Sequence, residues 1–130
     1  MTTQPIHETE TTTSFDLVLP PDPELLRVVR LVASGLAAMT PLDLDAVEGV
    51  RVAADELVAT LITASDGGPV TVTFELHGAA LTIRGRTKLD AEVGFSLDPL
   101  TDRILDTVVT SHDWQTVDGH VLGRVDQAFG

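Results

Sequence analysis

A chain of 130 residues, 43% of them hydrophobic, is long enough for one globular domain with a single core and argues against a second. Its 20 acidic and 8 basic side chains give a formal charge of -12, which repels phosphate backbones and anionic lipid; no nucleic acid or membrane partner is expected, whereas a basic protein surface is favoured. The absence of cysteine excludes disulfides and thiolate metal sites, and neither a spanning apolar run nor a signal-peptide layout is present, so a cytoplasmic protein is expected.

Residues 1–13 are Thr-rich, polar and without apolar period, which predicts a flexible arm; the domain is expected over 14–130. Phe15, Leu17 and Leu19 alternate with Asp16 and Val18 as a strand that Pro20-Pro21 ends. Asp22 as N-cap, Pro23 and Glu24 open a helix whose Leu25, Val28, Val29, Val32 and Leu36 recur at helical spacing. Thr40-Pro41 repeats the cap-plus-proline signal, and Leu44, Val47, Val50, Ala54, Leu57, Val58 and Leu61 mark the longest helix, to near Ala64.

Asp66-Gly67-Gly68-Pro69 breaks the chain, after which Val70, Val72, Phe74 and Leu76 form a strand. A turn at His77-Gly78 makes a hairpin with a strand through Leu81 and Ile83. Thr87 to Leu97 shows no clean period and reads as a loop. Asp98-Pro99 caps a third helix through Leu100, Ile104, Leu105 and Val108, and Trp114–Val117 pairs with Val121–Val125 across Asp118-Gly119. The expected order is β-α-α-β-β-loop-α-β-β, an α+β two-layer sandwich with a mostly antiparallel five-stranded sheet and three helices on one face.

Chemistry-bearing constellations are sparse. The histidines, His7, His77, His112 and His120, lack metal-ligand spacing, and no metal is expected. The serines lack a nucleophile-elbow context. The carboxylate pairs Asp43/Asp45 and Asp102/Asp106 fit helix-dipole and solubility roles. Trp114 reads as a core or edge anchor. Arg84 and Arg86 fall on the exposed face of their strand, where they offer a site to some anion.

Over about Phe15 to Val125 this order resembles the GHKL ATPase fold and, within it, the small bacterial anti-sigma-factor serine kinases. The resemblance rests on Asp55-Glu56-Leu57-Val58-Ala59-Thr60 in the long helix and on Leu81-Thr82-Ile83-Arg84-Gly85-Arg86-Thr87. It implies that Glu56 stands at the family's pocket glutamate and Thr60 at the asparagine that holds magnesium. Gly85 stands at the aspartate that recognises adenine and Thr87 at the following glycine. Gly94-Phe95-Ser96-Leu97 matches the end of the glycine-rich lid, with Glu92 in place of an earlier glycine.

A threonine hydroxyl is a poorer hard-cation ligand than an amide carbonyl. Glycine offers adenine no acceptor, a loss of about 2–3 kcal/mol. The expectation is a degenerate pocket, with no cofactor and with ATP binding and kinase activity reduced or lost. The resemblance also implies partner binding through the first helix, with Arg27 and Arg30 presented to a sigma factor or an anti-anti-sigma protein, and a possible homodimer. Two alternatives stand beside this reading: an active serine kinase using magnesium-ATP through Glu56, and a self-associating structural module without a sigma partner.

Overall fold

Alternating apolar residues build five strands and helical apolar stripes build three helices over residues 12–130, which the computed structural model describes. In chain order these are β1 (Thr13–Leu19), α1 (Leu26–Ala37), α2 (Leu44–Ala64), β2 (Ser65–His77), β3 (Ala80–Leu89), α3 (Pro99–Val108), β4 (Ser111–Val117) and β5 (His120–Ala128). The expected flexible arm over 1–13 lies outside the described residues except for Thr12 and Thr13, the second of which already belongs to β1.

Helix starts follow the cap chemistry. Asp22 accepts the backbone N–H of Glu24 and opens a 3-10 turn, Pro23–Leu25, that runs into α1. Asp98 accepts from Leu100 N at 2.7 Å, with Pro99 in the first turn of α3. The cap of α2 corrects the Thr40-Pro41 reading: Asp43 accepts from Ala46 N at 2.8 Å, whereas the Thr40 hydroxyl donates to Ala37 O at 2.6 Å and closes the end of α1. A capping side chain acts on whichever helix end has unpaired groups within reach, and here that was the end behind it.

The strands form one antiparallel sheet in the order β1-β2-β3-β5-β4. On one face Val72, Phe74, Ile83, Val121 and Val125 are buried together with the α2 stripe of Val50, Ala54, Leu57, Val58 and Leu61. Each such side chain contributes on the order of 1.5–3 kcal/mol. The protein is therefore α+β, a five-stranded antiparallel sheet with three helices, consistent with a two-layer sandwich. The outward positions of β2, β3 and β5, among them Thr71, Thr73, Arg84, Arg86 and Arg124, alternate onto the opposite face.

Several strands run longer than their apolar pattern. β2 already begins at Ser65, through the Asp66-Gly67-Gly68-Pro69 stretch expected as a break, because Ser65 pairs with Leu89 and the register shifts between Ser65 and Val70. β3 continues through Thr87 to Leu89, a stretch expected as loop, because His120, Val121 and Leu122 pair with Lys88, Thr87 and Arg86. β4 begins at Ser111 instead of Trp114, with Ser111 opposite Asp126 and Asp113 opposite Arg124. The β3 and β4 extensions are polar on both faces: Lys88, Ser111 and Asp113 take solvated positions while Thr87 and His112 take core-side ones, which leaves no apolar period to read.

Two glycines fix how closely α2 lies on the sheet. Gly85 and Gly123 are register partners in β3 and β5. A Cβ at Gly85 would collide with Leu61 Cδ1, and one at Gly123 would stand 2.7 Å from both Leu57 Cδ1 and the Trp114 ring. No helix among the described residues is long and apolar enough to cross a membrane.

Candidate functional site

The partly buried side of α2 carries Glu56 and Thr60, one turn apart. Facing them is the segment between β3 and α3. There the Asp90 carboxylate accepts from Glu92 N at 3.0 Å, the Asp90 carbonyl accepts from Gly94 N, and Gly94 turns the chain at φ +72°. The first turn of α3 supplies Thr101, whose hydroxyl donates to Glu56 Oε1 at 3.2 Å. Glu56, Thr60, Gly94, Phe95, Ser96 and Thr101 thus line one depression of about 340 Å³, near the lower end of small-molecule pockets.

Three of the four pocket positions read from the sequence, Glu56, Thr60 and Gly94, come together in this depression. Gly85 does not join them: on this side it is covered by Leu61, and its backbone instead borders a depression on the opposite face of the sheet. The Thr60 hydroxyl donates to its own helix, to Glu56 O at 2.8 Å, as helical threonines commonly do. Thr87 is buried and donates to Pro69 O at 3.1 Å, tying β3 to β2. Two carboxylates, those of Glu56 and Asp98, line the cleft, and no Lys or Arg does among the described residues.

Thr101 escaped the sequence reading because its contact spans 45 positions and depends on where α3 docks. A second grouping also formed only in three dimensions. Asp102 and Asp106, one turn apart on α3, converge on His112 of β4, with Nε2 at 3.2 Å and 2.8 Å from their carboxylates. The indole N–H of Trp114 donates to His112 Nδ1 at 3.1 Å, so Nδ1 holds a lone pair and Nε2 carries the proton given to the two aspartates. A metal-bound histidine donates from its second nitrogen. Here that nitrogen accepts, and the cluster acts as a strut between α3 and β4.

The two arginines of α1 differ in what they do. Arg30 Nη1 meets Asp55 Oδ1 of α2 at 2.8 Å and ties the helices together. Arg27 is exposed, makes no ion pair among the described residues, and heads a stripe of Val28, Leu31 and Met39. Leu31 and Met39 are 74% and 73% exposed, Leu31 on the outward side of α1 and Met39 just past its end.

A scan against protein-family models found no match to this chain, and a search of the curated proteins found no similar sequence.

Proposed function

We propose that this is a cytoplasmic regulatory protein-binding domain of the anti-sigma-factor type on a GHKL-like scaffold, in which ATP binding and serine kinase activity are reduced or lost. Its partner is a sigma factor or an anti-anti-sigma protein, held through the outer side of α1. The observation that carries the reading is the exposure of Val28, Leu31 and Met39 beside Arg27, which makes no ion pair among the described residues. Exposed apolar side chains next to a guanidinium suit a protein partner offering an apolar ridge and a carboxylate. Arg30 lies on the same helix but already spends a nitrogen on Asp55, so it contributes less than Arg27.

The residues of the cleft do not fit a magnesium-triphosphate. The lining has two carboxylates and no cation among the described residues, the Glu56 carboxylate is engaged by Thr101, and the Thr60 hydroxyl proton is spent on a backbone carbonyl. One magnesium neutralises only part of a triphosphate's charge, and with no guanidinium or ammonium in the lining among the described residues the remainder faces the two carboxylates. Leu61 against Gly85 closes the place where an adenine-reading carboxylate would stand.

Calorimetric titration with magnesium-ATP is expected to show no saturable heat, and incubation with a candidate antagonist serine no phosphotransfer; tight binding with turnover would mark an active kinase instead. In pull-downs against sigma factors, Arg27→Ala combined with Leu31→Asp is expected to abolish capture while Glu56→Ala leaves it unchanged. Capture that survives the α1 variant overturns the assigned surface, and recovery of the protein alone favours a self-associating module.

A further inference from the structure

Half of the chain's cations gather on the sheet face turned away from α2. Lys88, Arg86 and Arg84 of β3 and Arg124 of β5 occupy outward positions, four of the eight Lys and Arg in a chain of charge -12. Two adjacent cross-strand rows form the middle of this face. One reads Thr71, Arg86, Leu122, Gln115 across β2, β3, β5 and β4, and the next reads Thr73, Arg84, Arg124, Asp113. Between the rows run the backbones of Gly85 and Gly123, and the side chains border a depression of about 390 Å³.

The centre of this face is a conflict. Arg84 and Arg124 are directly opposite on neighbouring strands, an arrangement that destabilises a sheet. Each leans outward onto a carboxylate, Arg84 Nη2 to Glu75 Oε1 at 2.9 Å and Arg124 Nε to Asp126 Oδ2 at 2.9 Å. Asp113 sits at the far border and accepts from Gln115 at 3.2 Å. Among the described residues, Arg86, one pleat along from Arg84 and diagonal to Arg124, has no carboxylate partner, and the Thr71 hydroxyl beside it makes no hydrogen bond. Leu122, opposite Arg86 and 37% exposed, adds an apolar wall.

We propose that this depression binds a small organic anion, seating its carboxylate or phosphate group on Arg86 and Thr71 with its body against Leu122 and the glycine backbones. A guanidinium fork and an adjacent hydroxyl match the geometry of either oxyanion. The charges of Arg84 and Arg124 are already met by Glu75 and Asp126, so Arg86 supplies the attraction, and Asp113 restricts the anionic group to the Arg86 side. The pocket lies across the sheet from the α2 cleft and from α1, so it stands independently of the protein partner proposed above.

The test is an amide-resolved NMR titration of the full chain at low ionic strength, with inorganic phosphate in one series and citrate in another. The expected result is saturable shifts confined to Thr71, Arg86, Leu122 and Gly123; the tighter of the two series assigns the oxyanion class, and equal affinity assigns the shared chemistry. Arg86→Gln should weaken binding by about tenfold or more, the size of a lost charged hydrogen bond, while Arg51→Gln on α2 changes nothing. Since Arg86 is exposed, an unchanged thermal midpoint of the Arg86→Gln variant separates lost binding from lost folding. Absence of saturable shifts in both series, or equal weakening by the two variants, overturns the proposal.

Discussion

Asp126 accepts from Thr82 Oγ1 at 2.6 Å and from Arg124 Nε at 2.9 Å, joining the outer faces of β3 and β5 around one carboxylate. Burial pushes its carboxyl up, but the hydrogen bonds from Arg124 and Thr82, together with the Arg124 charge, outweigh that and leave it below the ordinary value. A carboxyl lowered in the folded state contributes stability above its unfolded value of about 3.9 and loses it as pH falls through the folded value. Urea unfolding at a series of pH values should therefore show wild type more stable than Asp126→Asn near neutrality, the gap narrowing only below about pH 4. A gap that is constant with pH would contradict this assignment. The outward placement of Arg84 and Arg86 was legible from strand alternation, but Arg84 meeting Glu75, and Thr82 meeting Asp126, depended on register.

Helix packing separates two glycines that look alike in sequence. Gly35 lies in α1 with nothing within 4 Å of the position a Cβ would take, so Gly35→Ala should stabilise the protein by about 0.5–1 kcal/mol through helix propensity. Gly49 lies in α2 beneath α3, and a Cβ there would run into the backbone carbonyl of Val108. Gly49→Ala should therefore destabilise by roughly 1–3 kcal/mol despite the same propensity gain, because a backbone atom cannot swing aside as a side chain can. Denaturant midpoints of the two variants check the opposite signs. Among the elements themselves, the Asp22-Pro23 and Asp98-Pro99 caps stood in the sequence because capping is local. The Thr40 cap was misassigned because a short polar side chain serves either neighbouring helix end, and the ends of β3 and β4 were missed because pairing partners decide them.

At the scale of the whole molecule, a charge of -12 sets self-repulsion against a modest number of ion pairs, two of which, Arg84–Glu75 and Arg124–Asp126, flank the same depression. Screening long-range repulsion costs little in short-range contacts. The thermal midpoint should rise by a few degrees when salt is raised from about 10 to about 150 mM. A fall measured by scanning calorimetry would mean that the ion pairs outweigh the net charge. On the outer sheet face Arg84, Arg86, Lys88 and Arg124 are balanced by Asp16, Glu75, Asp113 and Asp126, so this face departs from the acidic average of the chain.

Composition, apolar period and capping residues by themselves determined the α+β class, the helices, most of the strand positions and the helical face shared by Glu56 and Thr60, because each depends on neighbours within a turn or a pleat. Tertiary structure alone decided that β3 pairs with β5, that Leu61 closes over Gly85 while Thr101 reaches Glu56, and that three arginines meet across two strands. Those contacts join residues tens of positions apart. They are selected by which apolar surfaces bury together, a property of the assembled core that no local window of sequence contains.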